Sequence, residues 1–124
     1  MPSTFAVYPN LFGKSEVIEW REGDFMFEAR GRAQLHASAL QHRIAYWVMH
    51  YERPEGKPRK AIEVADTVDI PYNRFQQLIT GKVVMQLEDV GRLRSRLGEI
   101  VDLWMLDGVN LDVARSVIRA RSRK

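Results

Sequence analysis

The chain has 124 residues, of which 45% are hydrophobic and 28% charged, and its formal net charge is +3. That length suits one domain with an arm, and no run approaches the roughly 20 apolar residues of a membrane span. Cysteine is absent, which excludes disulfides and thiolate metal sites, and the N-terminus has no basic region followed by an apolar run, so a cytoplasmic protein without a signal peptide is expected.

Residues 1–31 read as an arm with a β-hairpin. Phe5, Tyr8 and Phe12 lie in a Pro- and Asn-punctuated segment. Ile18 and Trp20 then alternate with charged residues, Arg21-Glu22-Gly23-Asp24 signals a turn, and Phe25, Phe27 and Ala29 alternate again. That is the period of two strands with one apolar face. An isolated hairpin is marginal in water, so its aromatics must cover either the chain's own helices or a second subunit.

Residues 32–106 read as a helical domain. A long helix is predicted from Arg32 to Tyr51, with Ala33, His36, Ala37, Leu40, Ile44, Trp47, Val48 and Tyr51 as its inner stripe. It should stop before Pro54. The following loop ends in Arg59-Lys60, at the start of the next helix, where cations suit phosphate contacts. From Ala61 to Lys82 the pattern is two short helices with a tight turn between them. Val64, Ala65, Val68 and Ile70 form the first apolar stripe, and Phe75, Leu78 and Ile79 the second. Asn73, Gln76, Gln77 and Thr80 fall on the opposite side of the second helix. Side chains of that kind suit base edges in a major groove, since Asn and Gln bond adenine in two places.

Gln86 is placed to cap a helix from Leu87 to Leu97, with Leu87, Val90, Leu93 and Leu97 inward and Gly98 as its stop. The segment 99–106 is apolar almost all round, which calls for burial on more than one side. Residues 107–124 read as a last helix capped by Asn110, carrying Leu111, Val113, Val117 and Ile118. Its tail holds Arg115, Arg119, Arg121, Arg123 and Lys124.

The stretch Ala61–Lys82 resembles the helix-turn-helix of phage repressor and Cro proteins. Ala65 stands where that family has a small residue between its helices. Phe75 and Leu78 match its large apolar positions, and Thr80-Gly81-Lys82 its frequent polar-Gly-cation ending. Two residues depart from the pattern: Asp69 replaces the turn glycine, and Ala61 replaces a Gln that clamps phosphate in many members. The resemblance implies a five-helix domain whose helix 72–80 reads double-stranded DNA. Asn73 and Gln77 are expected to read bases, Arg74 and Gln76 to reach bases or phosphates, and Thr80 and Lys82 to hold the backbone. Tyr72, Arg59 and Lys60 complete the expected DNA-binding set.

The sequence offers no catalytic or metal-binding constellation and no cofactor site. His36, His42 and His50 lack the i, i+3 or i+4 spacing of a helical metal pair. The expected function is therefore transcriptional regulation, most simply repression, by a homodimer joined through residues 99–118, the hairpin or both. Two other readings stay open. One is an antitoxin-like DNA binder that holds a protein on segment 99–106 or the hairpin. The other is an adaptor that uses the helix pair for protein contacts alone.

Overall fold

The computed structural model describes residues 1–25, 27–53, 57–106 and 119–120. Six helices lie among them: α1 (Glu22–Phe25), α2 (Ala29–His50), α3 (Ala61–Thr67), α4 (Tyr72–Ile79), α5 (Leu87–Leu97) and α6 (Ile100–Trp104). The fold is mainly helical. None of the described helices is long and apolar enough to cross a membrane.

The axis of the fold is α2, 22 residues long. Its lower half buries Ile44, Ala45, Val48 and Met49 against α3, α4 and α6, in a core with Val64, Val68, Phe75, Leu78, Leu93, Val101 and Trp104. Its upper half is rotated relative to the predicted stripe. Ala33, His36, Ala37 and Leu40 are exposed, while Leu35, Ser38, Gln41 and His42 turn inward. The reason is hydrogen bonding, since Gln41 and His42 find backbone partners across the interface that an apolar residue could not use.

The predicted hairpin is not formed, and the described residues contain no named strand. One isolated antiparallel bridge joins Ala6 to Trp20, flanked by Val7 N–H to Glu19 O (3.0 Å) and Arg21 N–H to Phe5 O (2.9 Å). Residues 21–24 do turn, but helically. Arg21 Nε donates to Asp24 Oδ2 at 2.8 Å, an i, i+3 pair that favours a helical turn over a strand. Phe25 then meets Phe5 at 4.6 Å between ring centroids instead of pairing with Trp20. Phe27 points away and is 93% exposed. The arm covers its own domain, with Ala6 and Phe12 fully buried and short 3-10 turns at Pro2–Phe5 and Pro9–Leu11.

Helix α5 starts as expected. The side chain of Gln86 and the carboxylate of Asp89 cap α5 reciprocally, and Gly98 (φ 87°) ends it. Leu93 is buried and Val90 and Leu97 are half-buried, but Leu87 is 89% exposed. At the first turn of α5 the inward position belongs to Asp89. Segment 99–106 is buried within its own chain through Val101 and Trp104, the latter tilted against Tyr51 at 5.3 Å. The predicted last helix at 110–118 lies outside the described residues.

Candidate nucleic-acid interface

The two motif helices are joined by a turn whose backbone bonds explain its shape. Ile70 N–H reaches Ala65 O (3.1 Å) and Asp69 N–H reaches Asp66 O (3.3 Å). These are the 6→1 and 5→2 bonds of a Schellman cap, with Ile70 and Ala65 both buried beneath. The residue between must be left-handed, and Asp69 is, at φ 57°. Asp69 thus takes the left-handed conformation expected of a glycine at this turn. The same motif ends α4. Lys82 N–H bonds Gln77 O (2.9 Å), Gly81 N–H bonds Leu78 O (3.3 Å), and Gly81 has φ 73°. Here glycine is required twice over, because a Cβ would meet the Phe12 ring at 2.8 Å and the Ser3 nitrogen at 2.9 Å.

Between these caps α4 buries Phe75 and Leu78, and Ile79 packs at the core edge. That leaves the face carrying Tyr72, Asn73, Gln76 and Gln77 outward. Asn73 and Gln77, one turn apart, are exposed, and among the described residues their side chains have no hydrogen-bond partner. Gln76 Nε2 donates to Tyr72 Oη at 2.7 Å, so these two act as a linked pair. Thr80 is half-buried and its hydroxyl donates back to Gln76 O at 2.7 Å. Lys82 and Lys60 are exposed beyond the two ends of the motif.

The two arginines of the expected set are engaged within the chain. Arg74 forms a fork on Asp89, Nε to Oδ1 at 2.9 Å and Nη2 to Oδ2 at 2.6 Å, and so ties α4 to the first turn of α5. Burial disfavours the Asp89 carboxylate, but the Arg74 fork and the Gln86 N–H outweigh it and hold Asp89 below the ordinary carboxylate range. Arg59 lies over the Tyr51 ring at 4.4 Å and donates from Nη2 to Tyr51 O at 2.7 Å. Both guanidiniums are thus held by partners within the chain, although the Arg74 side chain stays 40% exposed. Glu63 and Asp66 are exposed on α3, so the surroundings of α4 carry both signs of charge.

Gln41 was not among the expected site residues, yet it fixes the end of α4. Its Nε2 donates to Leu78 O and Val83 O, both at 2.9 Å, and its Oε1 accepts from Met85 N–H at 2.7 Å. A glutamine in mid-helix reads as surface. No sequence signal singled it out, because the predicted stripe runs through Leu40 and Ile44 and passes Gln41 by. Among the described residues no group of three His, Asp or Glu is placed to hold a metal ion.

Comparison with protein-family models, with curated proteins and with solved structures gives no match to this chain.

Proposed function

We propose that this chain is a sequence-specific DNA-binding regulator, a repressor in its simplest mode, that lays α4 in the major groove and works as a homodimer. The observation that carries the reading is the pair Asn73 and Gln77, exposed and unpartnered on one face of a helix whose other face is fixed in the core. Two amides one turn apart on a rigid helix can address neighbouring base edges without first breaking an internal bond. Lys60 and Lys82 supply cations for the phosphates on either side, and the resemblance of Ala61–Lys82 to the repressor and Cro motif points the same way. Arg74 and Arg59 are assigned to holding the helices in place, not to contacting DNA.

A second reading is supported by Glu63 and Asp66. Exposed carboxylates on α3 repel phosphate and suit a basic protein surface, as an adaptor would need. An antitoxin-like grip by segment 99–106 is less well supported, because Val101 and Trp104 are already buried at home.

Titration of mixed-sequence duplex at two salt concentrations separates the two. Phosphate contacts impose a loss of affinity of about 0.9 log unit per contact for each log unit of salt. Binding that is absent, or indifferent to salt, rejects the DNA reading.

A further inference from the structure

The arm touches the end of α4 in three places. Ser3 N–H donates to Gly81 O at 2.9 Å. The Phe12 ring lies on the Gly81 backbone, and Gly13 (φ 72°) is so close to the Ile79 carbonyl that a Cβ there would collide with it. The last turn of α4 and its cap are therefore shaped partly by residues 3–13.

One side chain of α2 holds that arm. Gly13 donates its N–H to His42 Nδ1 at 2.8 Å, while His42 Nε2 stands 3.2 Å from Glu16 O. A nitrogen that accepts carries no hydrogen, so the proton is on Nε2 and is donated to Glu16. The edges of Phe12 and Trp20 close around the ring at 5.4 and 5.7 Å. This seat fits neutral imidazole only. A second proton, on Nδ1, would set one N–H against another and break the bond to Gly13.

We propose that the arm is a proton-sensitive brace on α4, with His42 as its catch, so that acidification frees the arm and weakens DNA binding. The DNA part of this inference rests on the function proposed above. Burial lowers the affinity of His42 for a proton below its ordinary value of 6.5, and the Arg43 cation acts in the same direction. The carbonyls of Glu16 and Ser15 oppose them without prevailing. The other ionisable neighbours are Tyr46 on α2 and Glu16 on the arm, which face each other, with Lys14 exposed beside Gly13. From α4 and its cap, Ile79 and Gly81 bring no charge to this contact. With the docked form depressed, the docking constant has its full value well above 6.5 and weakens as pH falls through it, by at most about tenfold per unit, until the depressed value is reached.

Proton–nitrogen NMR spectra of the whole chain between about pH 7.5 and 5, with a parallel titration of mixed-sequence duplex, test the proposal. In the parent, the amides of Gly13, Ser3 and Gly81 should shift together as His42 titrates, while Val64 and Leu93 stay in place. In His42→Asn, whose Oδ1 can accept from Gly13 but cannot titrate, these three signals should hold their positions. His36 and His50 remain in that variant, so an undiminished response would assign the effect to them and overturn the proposal. Gly13→Ala should show the acidic pattern already at neutral pH. Duplex affinity of the parent, relative to His42→Asn, should fall severalfold across the range. If Gly13 and Ser3 stay in place while His42 protonates, the catch is disproved. If the arm lets go but duplex affinity does not follow, its coupling to α4 is disproved. An arm that responds as described in a protein that binds no duplex at any pH confirms the catch and removes the DNA reading.

Discussion

Under the proposed function, Asn73 and Gln77 would differ from Lys82 in what they can tell apart. An amide aligned with a base edge distinguishes sequences, whereas an ammonium near a phosphate does not. Gln77→Ala should weaken binding to the preferred site by about 1–3 kcal/mol and leave random duplex nearly unaffected. Lys82→Ala should weaken both alike and flatten the salt slope by about one unit. Binding curves for the two variants on selected and random duplex check this, and equal losses on both duplexes would refute the assignment of roles. The two left-handed cap residues also behave differently from one another. Asp69 is strained by its φ of 57°, and its carboxylate is largely exposed, 3.6 Å from Arg92. The firmer bond of Arg92, at 2.7 Å, goes to the Asp69 carbonyl, which any residue supplies. Asp69→Gly should therefore be tolerated, and relief of strain should stabilise by a few tenths to about 1 kcal/mol. Gly81→Ala meets both strain and the Phe12 ring, and should cost about 2–4 kcal/mol in thermal or urea unfolding. A cost at Gly81 of no more than about 1 kcal/mol, the left-handed strain alone, would mean that the Phe12 contact does not matter.

At the scale of elements, the orientation of α4 depends on Arg74 and Asp89 at one end and on Gln41 with the arm at the other. Asp89→Asn removes the anion from the Arg74 fork and weakens the cap on α5. One cap is worth about 1 kcal/mol, and the fork adds a limited amount because Arg74 remains 40% exposed. A loss of about 1–3 kcal/mol is expected. Asp89 lies below its ordinary value of 3.8 in the folded chain, so its contribution is present above that pH and fades as pH falls below it. Urea unfolding of parent and Asp89→Asn should thus differ at neutral pH and converge in acid, and a gap that persists at low pH would point to packing in place of charge. The helix pair, its turn at Asp69 and the Gln86 cap were legible in the sequence because short-range patterns determine them: apolar spacing, a cap residue, a left-handed position. The hairpin was misread for the same reason. Alternation over 18–29 is a local signal, but Phe25 and Trp20 find partners far along the chain or in α2, namely Phe5, Ala6 and His42. The roles of Gln41, Arg59 and Arg74 were hidden likewise, since a polar residue that bonds distant backbone or a distant carboxylate looks no different in sequence from one that meets water.

For the molecule as a whole, the proposed function raises the question of how a single α4 would bind tightly enough to regulate. Eight residues of helix would reach only a few base pairs, and dimeric helix-turn-helix proteins bind two half-sites about one helical turn apart. Trp20 and Trp104, which the sequence suggested for a subunit contact, are covered within the chain, half-buried and fully buried respectively. The apolar side chains left at the surface include Leu40, Val84 and Leu87 beside a groove of about 390 Å³ between α2 and α5, with Leu106 at the end of α6 and Phe27 on the arm. Contiguous exposed apolar surface marks an interaction site more often than scattered residues do. Leu87, 89% exposed, adds little to the fold and is the side chain on which to test pairing. Sedimentation of the free protein, and again with a selected duplex, should give a dimer at least on DNA. Leu87→Glu should keep the unfolding midpoint of the parent and shift the complex toward one chain per duplex. If the parent is a monomer that binds one-to-one, at a site without two-fold repeat, the dimer is excluded. If the parent pairs and Leu87→Glu pairs equally well, the contact lies elsewhere, and Phe27→Ser on the arm is the next substitution to examine.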